Sequence, residues 1–126
     1  MQAPRHAIDW FEIPVRDMDR AISFYEALLA TEIRRETIAG SALGVIKYHA
    51  DAVGGCLIQG DNAPAPSTDG ALIYLNAGSS LAITLARVVA LGGRITTPKV
   101  TLPGDMGCFA HIADSEGNRI GLHAQA

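Results

Sequence analysis

Apolar residues recur at intervals of three and four in two stretches of the chain, and each stretch follows a short alternating segment. Residues 10–15 read WFEIPV, and apolar positions in the residues that follow include Met18, Ala21, Ile22, Tyr25, Leu28 and Leu29. The alternation predicts a strand and the longer repeat predicts a helix. The same order returns as ALIYLNA at 71–77 and SLAITLARVVALGG at 80–93, where two glycines end the second predicted helix.

Four further segments have the composition of strands, and one segment has that of a linker. The strand candidates are ALGVIKYHA at 42–50, GGCLIQG at 54–60, CFAHIAD at 108–114 and NRIGLHA at 118–124. GDNAPAPSTDG at 60–70 is rich in proline, glycine and small polar residues, as linkers are. We therefore predict one domain over residues 1–126, with module one at about 8–59, a linker at about 60–70, and module two at about 71–123.

The two modules align with each other. Trp10 matches Leu72 at a shift of 62, and later positions match at 63, including Asp51 with Asp114 and Ile58 with Gly121. A repeat of this length predicts two copies of one supersecondary unit. We expect an α+β fold in which helices cover the outer faces of two curved mixed sheets, and the other faces enclose a concave cavity.

Composition limits the classes of partner. The chain is 48% hydrophobic and 18% charged, with a formal net charge of −3 and no basic cluster. We therefore expect neither a nucleic acid nor a membrane as partner. The N-terminal residues lack the apolar segment of a secretory signal, so we expect a cytoplasmic protein in which Cys56 and Cys108 stay reduced.

Several segments together resemble the vicinal oxygen chelate superfamily, the group of glyoxalases, bleomycin-resistance proteins and extradiol dioxygenases. These segments are FEIPVRDMDRAISFYEALL, YLNA, LARVVALGGRI and HIADSEGNRIGLH, and the resemblance runs from about Ile8 to His123. It implies paired βαβββ modules and association as a homodimer. Because the superfamily spans several reaction classes, the resemblance does not imply one activity.

The resemblance also implies where a divalent metal would be held, on the first and last strand of each module. Those positions are Trp10, Ile58, Leu72 and Gly121, and none carries a donor side chain. We therefore expect no metal site and no cofactor. The alternative is a displaced divalent metal site formed by Glu12, His111 and His123.

Strand alternation assigns other side chains to the cavity. Trp10, Tyr74 and Phe109 would form an aromatic lining, which suits an apolar or planar ligand. Glu12 and His111 are candidate acid–base catalysts, although each is also explained by a structural hydrogen bond or ion pair. The remaining predicted ligand contacts are Tyr48, Arg119 and Met106, the last from an irregular stretch at 96–107 that would form either a lid or a solvated loop.

Three hypotheses of function follow. The first is a metal-free protein that sequesters or carries a small, partly apolar molecule. The second is an enzyme of the lyase, isomerase or dioxygenase type, either metal-free through Glu12 and His111 or with a displaced metal. The third is a protein-association module with a vestigial cavity. The absence of donors at the four metal positions and the aromatic lining favour the first hypothesis.

Overall fold

The computed structural model describes residues 2–126 and contains two βαβββ modules, as predicted. Module one comprises β1 (Trp10–Pro14), α1 (Met18–Leu29), β2 (Ile33–Ile38), β3 (Ser41–Ile46) and β4 (Gly54–Gln59). Module two comprises β5 (Tyr74–Asn76), α2 (Leu81–Ala90), β6 (Arg94–Thr101), β7 (Cys108–Ala113) and β8 (Arg119–Ala124). None of the helices among these residues is long and apolar enough to cross a membrane.

The strands form two separate four-stranded sheets, with orders β1-β4-β3-β2 and β5-β8-β7-β6. In each sheet the first and last strands of the module run parallel and the other pairs are antiparallel. Each sheet keeps two edges, so the two sheets do not close on each other within one chain. The α+β fold of paired βαβββ modules is as predicted, and the faces expected to line the concave cavity are open.

Each helix covers one face of its own sheet, and the helices also contact each other. Capping explains where they begin, because the side chain of Asp17 accepts a hydrogen bond from the backbone N–H of Arg20 at 3.1 Å, and Ser80 does the same for Ile83 at 3.4 Å. Their apolar stripes join the covered sheet faces in one core, which includes Ile13, Leu57, Leu81 and Leu122. The modules therefore share a core through their helix sides.

Two strands were missing from the sequence prediction, and one segment was assigned wrongly. The segment IRRETI forms β2 although most of its side chains are exposed. Residues 96–101 belong to β6, so the irregular stretch predicted at 96–107 is reduced to residues 102–107. Pro98 is tolerated because β6 is an edge strand, and the β6–β7 register shifts between Thr97 and Val100. The strand predicted at 71–77 is confined to Tyr74–Asn76.

The hairpin between β7 and β8 ties module two to module one. Glu116 in this hairpin accepts hydrogen bonds from the backbone N–H groups of Arg16 (2.8 Å) and Asp17 (2.9 Å), and from the Arg20 side chain at 2.7 and 3.0 Å. Burial alone would raise the pKa of Glu116, but these hydrogen bonds lower it from 4.5 to about 2. The buried carboxylate is thus ionised and acts as a bridge between modules.

A second buried contact supports the same hairpin. The hydroxyl of the fully buried Tyr25, on α1, donates to Asp114 Oδ2 at 2.6 Å, and Asn118 Nδ2 donates to the same oxygen at 3.0 Å. Asn118 also donates to the backbone oxygen of Pro14 at 2.8 Å. Burial, and then the charge of Asp114, raise the pKa of Tyr25 well above its usual value, so its hydroxyl remains protonated.

Candidate functional site

The sheet faces turned away from the helices are the candidate site, and we call them the first and second open faces. The first open face is defined by Trp10, Glu12 and Pro14 of β1 with Gly54, Cys56 and Ile58 beside them on β4. The second is defined by Tyr74, Phe109, His111, Arg119, Gly121 and His123. Alternating burial supports the assignment, since Glu12 is exposed while Ile13 is in the core, and Tyr74 is exposed while Leu75 is buried.

A polar network occupies the centre of the second open face. His111 Nε2 lies 2.7 Å from the hydroxyl of Tyr74, and His111 Nδ1 lies 3.1 Å from both Arg119 Nη2 and Thr97 Oγ1. Burial, and then the positive charge of Arg119, lower the pKa of His111, so the imidazole is neutral at pH 7. Thr97 was not a predicted site residue, because its strand was assigned to a loop.

The absence of a side chain at Gly121 leaves room for the Tyr74 ring. Tyr74 and Gly121 are lateral partners in the β5–β8 ladder, and a Cβ on Gly121 would come within 2.8 Å of three Tyr74 ring carbons. The ring therefore lies over the glycine. Phe109 stands edge-to-face with it, at a centroid separation of 5.9 Å and an interplanar angle of 85°. A side chain at position 121 would displace this pair.

The first open face has the same arrangement. The Tyr48 ring lies over Gly54, where a Cβ would come within 2.7 Å of three ring carbons, and it packs edge-to-face with Trp10 at 5.6 Å. Tyr48 reaches this position from the loop after β3, so the predicted strand at 42–50 ends earlier than expected. Burial raises the pKa of the neighbouring Cys56 thiol, despite its hydrogen bond with Trp10, so this cysteine is held as the thiol.

The structure does not bring together the two candidate acid–base residues. Glu12 lies on β1 and His111 on β7, which belong to different sheets and are not neighbours. Among residues 2–126, Glu12 forms no ion pair with Arg119 or Lys47, and Lys47 instead lies 3.9 Å from Glu32. A proton transfer from one to the other within one chain has no geometric basis.

Met106 and His123 meet at the edge of the second open face. His123 Nε2 lies 2.6 Å from the backbone oxygen of Met106, and since a carbonyl only accepts, this nitrogen donates. The Met106 side chain is exposed. The 102–107 turn is closed by a hydrogen bond from the backbone N–H of Leu102 to the oxygen of Gly107 at 2.8 Å, and it is short for a lid.

The strand register changes which residues occupy symmetric positions. Of the four positions implied by the resemblance, Trp10 lies beside Gly54 and Gly121 lies beside Tyr74 in the sheets. A constant shift does not align the two modules throughout, because the connection between β3 and β4 (residues 47–53) is longer than the corresponding connection between β7 and β8 (residues 114–118). None of these side chains is an ordinary ligand of a divalent metal. In the part of the chain described, no group of three His, Cys, Asp or Glu residues has the geometry of a metal site.

A cleft of about 1030 Å³ lies between the modules, beside the edge strands β1 and β5. Apolar side chains from both modules line it, including Phe11, Leu28, Ile73 and Ile83. Tyr48 and Tyr74 are the only predicted site residues among its lining. The cleft therefore connects to both open faces but leaves out their polar centres.

The two βαβββ modules, each with an aromatic pair packed over a glycine on its open face, define a two-module α+β protein. The profile of the Glyoxalase/Bleomycin resistance protein/Dioxygenase superfamily matches residues 7–122. The chain belongs to this superfamily.

Solved structures share the fold at low sequence identity. A glyoxylase/bleomycin resistance protein/dioxygenase domain from Frankia sp. EAN1pec has a TM-score of 0.74 and 16% identity, covering 98% of this chain and 94% of that one. TnmS3, an antibiotic binding protein from Streptomyces sp. CB03234, has a TM-score of 0.69 and 22% identity, with both chains fully covered (100%). FosX, a fosfomycin resistance protein from Listeria monocytogenes, has a TM-score of 0.68 and 16% identity, covering 98% and 94%. No curated protein sequence shows a significant match.

Proposed function

We propose that this protein binds a small, partly apolar and planar compound on its open faces and sequesters or carries it without a metal ion. The observation that carries the proposal is the exposed aromatic pair on each open face, with Trp10 40% and Tyr74 48% exposed. Covering large aromatic side chains that are exposed on a sheet face is favourable, because it removes apolar surface from water. A flat ring would stack there with little rearrangement.

The chemistry of the symmetric positions supports a metal-free site. Trp10, Gly54, Ile58, Leu72 and Gly121 offer no carboxylate, imidazole or thiolate. Beside Gly121, the space that a coordinating side chain would need is filled by the Tyr74 ring. The residues present do not fit a divalent ion at this position, so no step of the proposed function passes through a metal.

TnmS3, whose name describes an antibiotic binding protein, has the same fold, which supports the binding of a small molecule. Within one chain Glu12 and His111 lie on different sheets, so a single chain does not form this acid–base pair. The polar groups of the second open face would then orient a ligand rather than transform it.

We further propose that the ligand is enclosed when two copies of the chain associate. Each chain presents two open faces, and its sheets end in edge strands at β1, β2, β5 and β6. A second copy, related by a two-fold axis, would place the first open face of one chain against the second open face of the other. Each of the two resulting cavities would contain Trp10 from one chain and Tyr74 from its partner.

Fluorescence with 8-anilinonaphthalene-1-sulfonate tests both statements. Trp10 is the chain's one tryptophan, so energy transfer from it reports dye bound to this protein, and the variants locate the dye. We expect saturable dye emission by energy transfer from Trp10, and a solution mass of two chains measured by light scattering on the same sample. Tyr74→Ala should weaken this binding about tenfold in a dimer, because its ring would lie in the same cavity.

The matched control is Val89→Ser. Val89 is a 64% exposed apolar residue of α2 and lies on neither open face. If Val89→Ser weakens dye binding as much as Tyr74→Ala does, the dye binds exposed apolar surface in general, and the proposed site is wrong. A monomer that binds dye normally would reject the enclosed cavity but not the open-face site.

A further inference from the structure

Tyr74 and Arg119 on the second open face keep donor groups that the described residues do not use, and their arrangement follows from one nitrogen. His111 Nδ1 lies 3.1 Å from Arg119 Nη2. A guanidinium nitrogen only donates, so Nδ1 must accept and the imidazole proton must reside on Nε2. Thr97 Oγ1, also 3.1 Å from Nδ1, can donate to the same lone pair.

The tautomer determines the direction of the next hydrogen bond. Since Nε2 carries the proton, His111 donates to the Tyr74 oxygen at 2.7 Å. The Tyr74 hydroxyl hydrogen must then point away from His111. No described residue accepts it, and because Tyr74 is 48% exposed, the hydroxyl is available to a ligand. His111 thus acts as a positioning residue that turns Tyr74 into a free donor.

Arg119 supplies the second donor. Its side chain is exposed, and no carboxylate of the described residues lies within ion-pair distance of it. The Nη2 contact with His111 fixes the guanidinium on the same face as Tyr74 and leaves its other N–H groups available. The site centre therefore offers a hydroxyl donor and a positive charge, with no acceptor directed outward.

An aromatic surface lies next to these donors. The Phe109 ring centroid is 5.4 Å from that of His111 and 5.9 Å from that of Tyr74. A planar ligand that covers Phe109 would bring a substituent at its edge towards the Tyr74 hydroxyl and Arg119.

We infer that the ligand is a planar aromatic compound bearing an anionic oxygen, a carboxylate or a phenolate, which accepts from the Tyr74 hydroxyl and pairs with Arg119. This inference rests on the proposed function and specifies its ligand. Charged acceptors gain most from such a site, since a hydrogen bond to an ionised group is about twice as strong as one between neutral groups.

Calorimetric titration with 2-naphthoate and 2-naphthamide tests the inference. The two probes share the ring and differ in the charge of the substituent. We expect the wild-type protein to bind 2-naphthoate at least about tenfold more tightly than the amide. Tyr74→Phe, which keeps the ring over Gly121, and Arg119→Gln should each remove most of that preference and leave 2-naphthamide affinity within about twofold.

His111→Gln separates a positioning role from a structural one. It should weaken 2-naphthoate binding while the melting temperature stays close to that of Tyr74→Phe. The charge control is Arg35→Gln, an exposed arginine of β2 that pairs with Asp19 of α1 and lies on neither open face, so it should leave the preference intact.

The outcomes distinguish the two levels of proposal. Equal binding of both probes, or a preference that survives in Tyr74→Phe and Arg119→Gln, overturns the anionic ligand and leaves open-face binding in place. Failure of the wild-type protein to bind either probe overturns both. Loss of all binding in Tyr74→Phe, amide included, would show that the hydroxyl supports the site structurally, and would also reject the inference.

Discussion

Replacing Glu116 by glutamine should destabilise the protein at neutral pH and have little effect in acid. The Glu116 side chain is fully buried and receives five hydrogen bonds, from the backbone of Arg16 and Asp17, from two Arg20 nitrogens and from the Ser115 hydroxyl. The amide retains one acceptor oxygen but directs its own N–H groups at these donors. Module two would lose its charged anchor on module one.

The expected magnitude follows from the pKa. Lowering the pKa of Glu116 from 4.5 to about 2 corresponds to about 3 kcal/mol in favour of the folded state, at about 1.4 kcal/mol per tenfold change in ionisation constant. Because the Arg20 side chain is 53% exposed, solvent screens part of its contribution, and we expect about 2 kcal/mol. For a domain of this size, that lowers the melting temperature by about 8 °C.

The sign of the pH dependence is equally specific. The folded-state pKa of Glu116 lies below the unfolded-state value, so the stabilisation is complete above pH 4.5 and is lost as the pH falls towards 2. The difference in unfolding free energy between wild type and Glu116→Gln should therefore shrink over that interval. Urea unfolding followed by circular dichroism at several pH values measures it.

Glu36→Gln is the matched control for this prediction. Glu36 pairs with Arg34 at 2.9 Å, but the two side chains are 41% and 71% exposed. Its replacement should cost less than about 0.5 kcal/mol at any pH. If Glu116→Gln costs no more than Glu36→Gln at pH 7, or costs the same at pH 7 and pH 3, the argument from the buried carboxylate is wrong.

Two further substitutions test the packing that the structure shows. Gly121→Ala should displace the Tyr74 ring, lower the free energy of unfolding by about 1–3 kcal/mol through overpacking, and weaken 2-naphthoate binding in calorimetry. Gly70→Ala is the control, because an added Cβ there meets no atom within 4 Å, and it should leave stability and binding unchanged. Equal effects of the two substitutions would refute the ring–glycine contact. Tyr25→Phe should cost about 2 kcal/mol in urea unfolding at pH 7, because a buried hydrogen bond to the Asp114 carboxylate is lost, and a cost near zero would mean that water replaces the hydroxyl.

Much of the fold was predictable from the sequence because its signals are local. The spacing of Met18, Ile22 and Leu29 specifies α1, and the match between the halves predicts the second module. The strands that escaped prediction are both edges. In β2 the apolar signal is diluted by Arg34, Arg35 and Glu36, since an edge strand needs little buried surface, and β6 contains a proline.

The candidate site was less accessible to such reasoning. Alternation places Phe109 and His111 on one face, but it says nothing about the hydrogen bonds of His111, which depend on three other strands. The internal alignment matched Trp10 with Leu72 and Ile58 with Gly121, but in the sheets Trp10 lies beside Gly54 and Gly121 lies beside Tyr74. The hydrogen bonds of His111 depend on long-range contacts, and the strand register depends on connection lengths. Neither produces a periodic pattern in the sequence.

Gly121, in the last strand of module two, is best understood by comparison with Gly54 in module one. Gly121 and Gly54 each lie under a tyrosine ring, yet Tyr74 comes from β5 and Tyr48 from a loop. Two different chain paths thus produce the same aromatic surface on the two open faces. A glycine that merely marked a lost metal ligand would have no reason to be matched by a second one under a ring. The pairing supports the proposal that both faces bind against a flat apolar surface. The second open face also has a polar network around His111, and hydrogen bonds to this network would orient a bound compound.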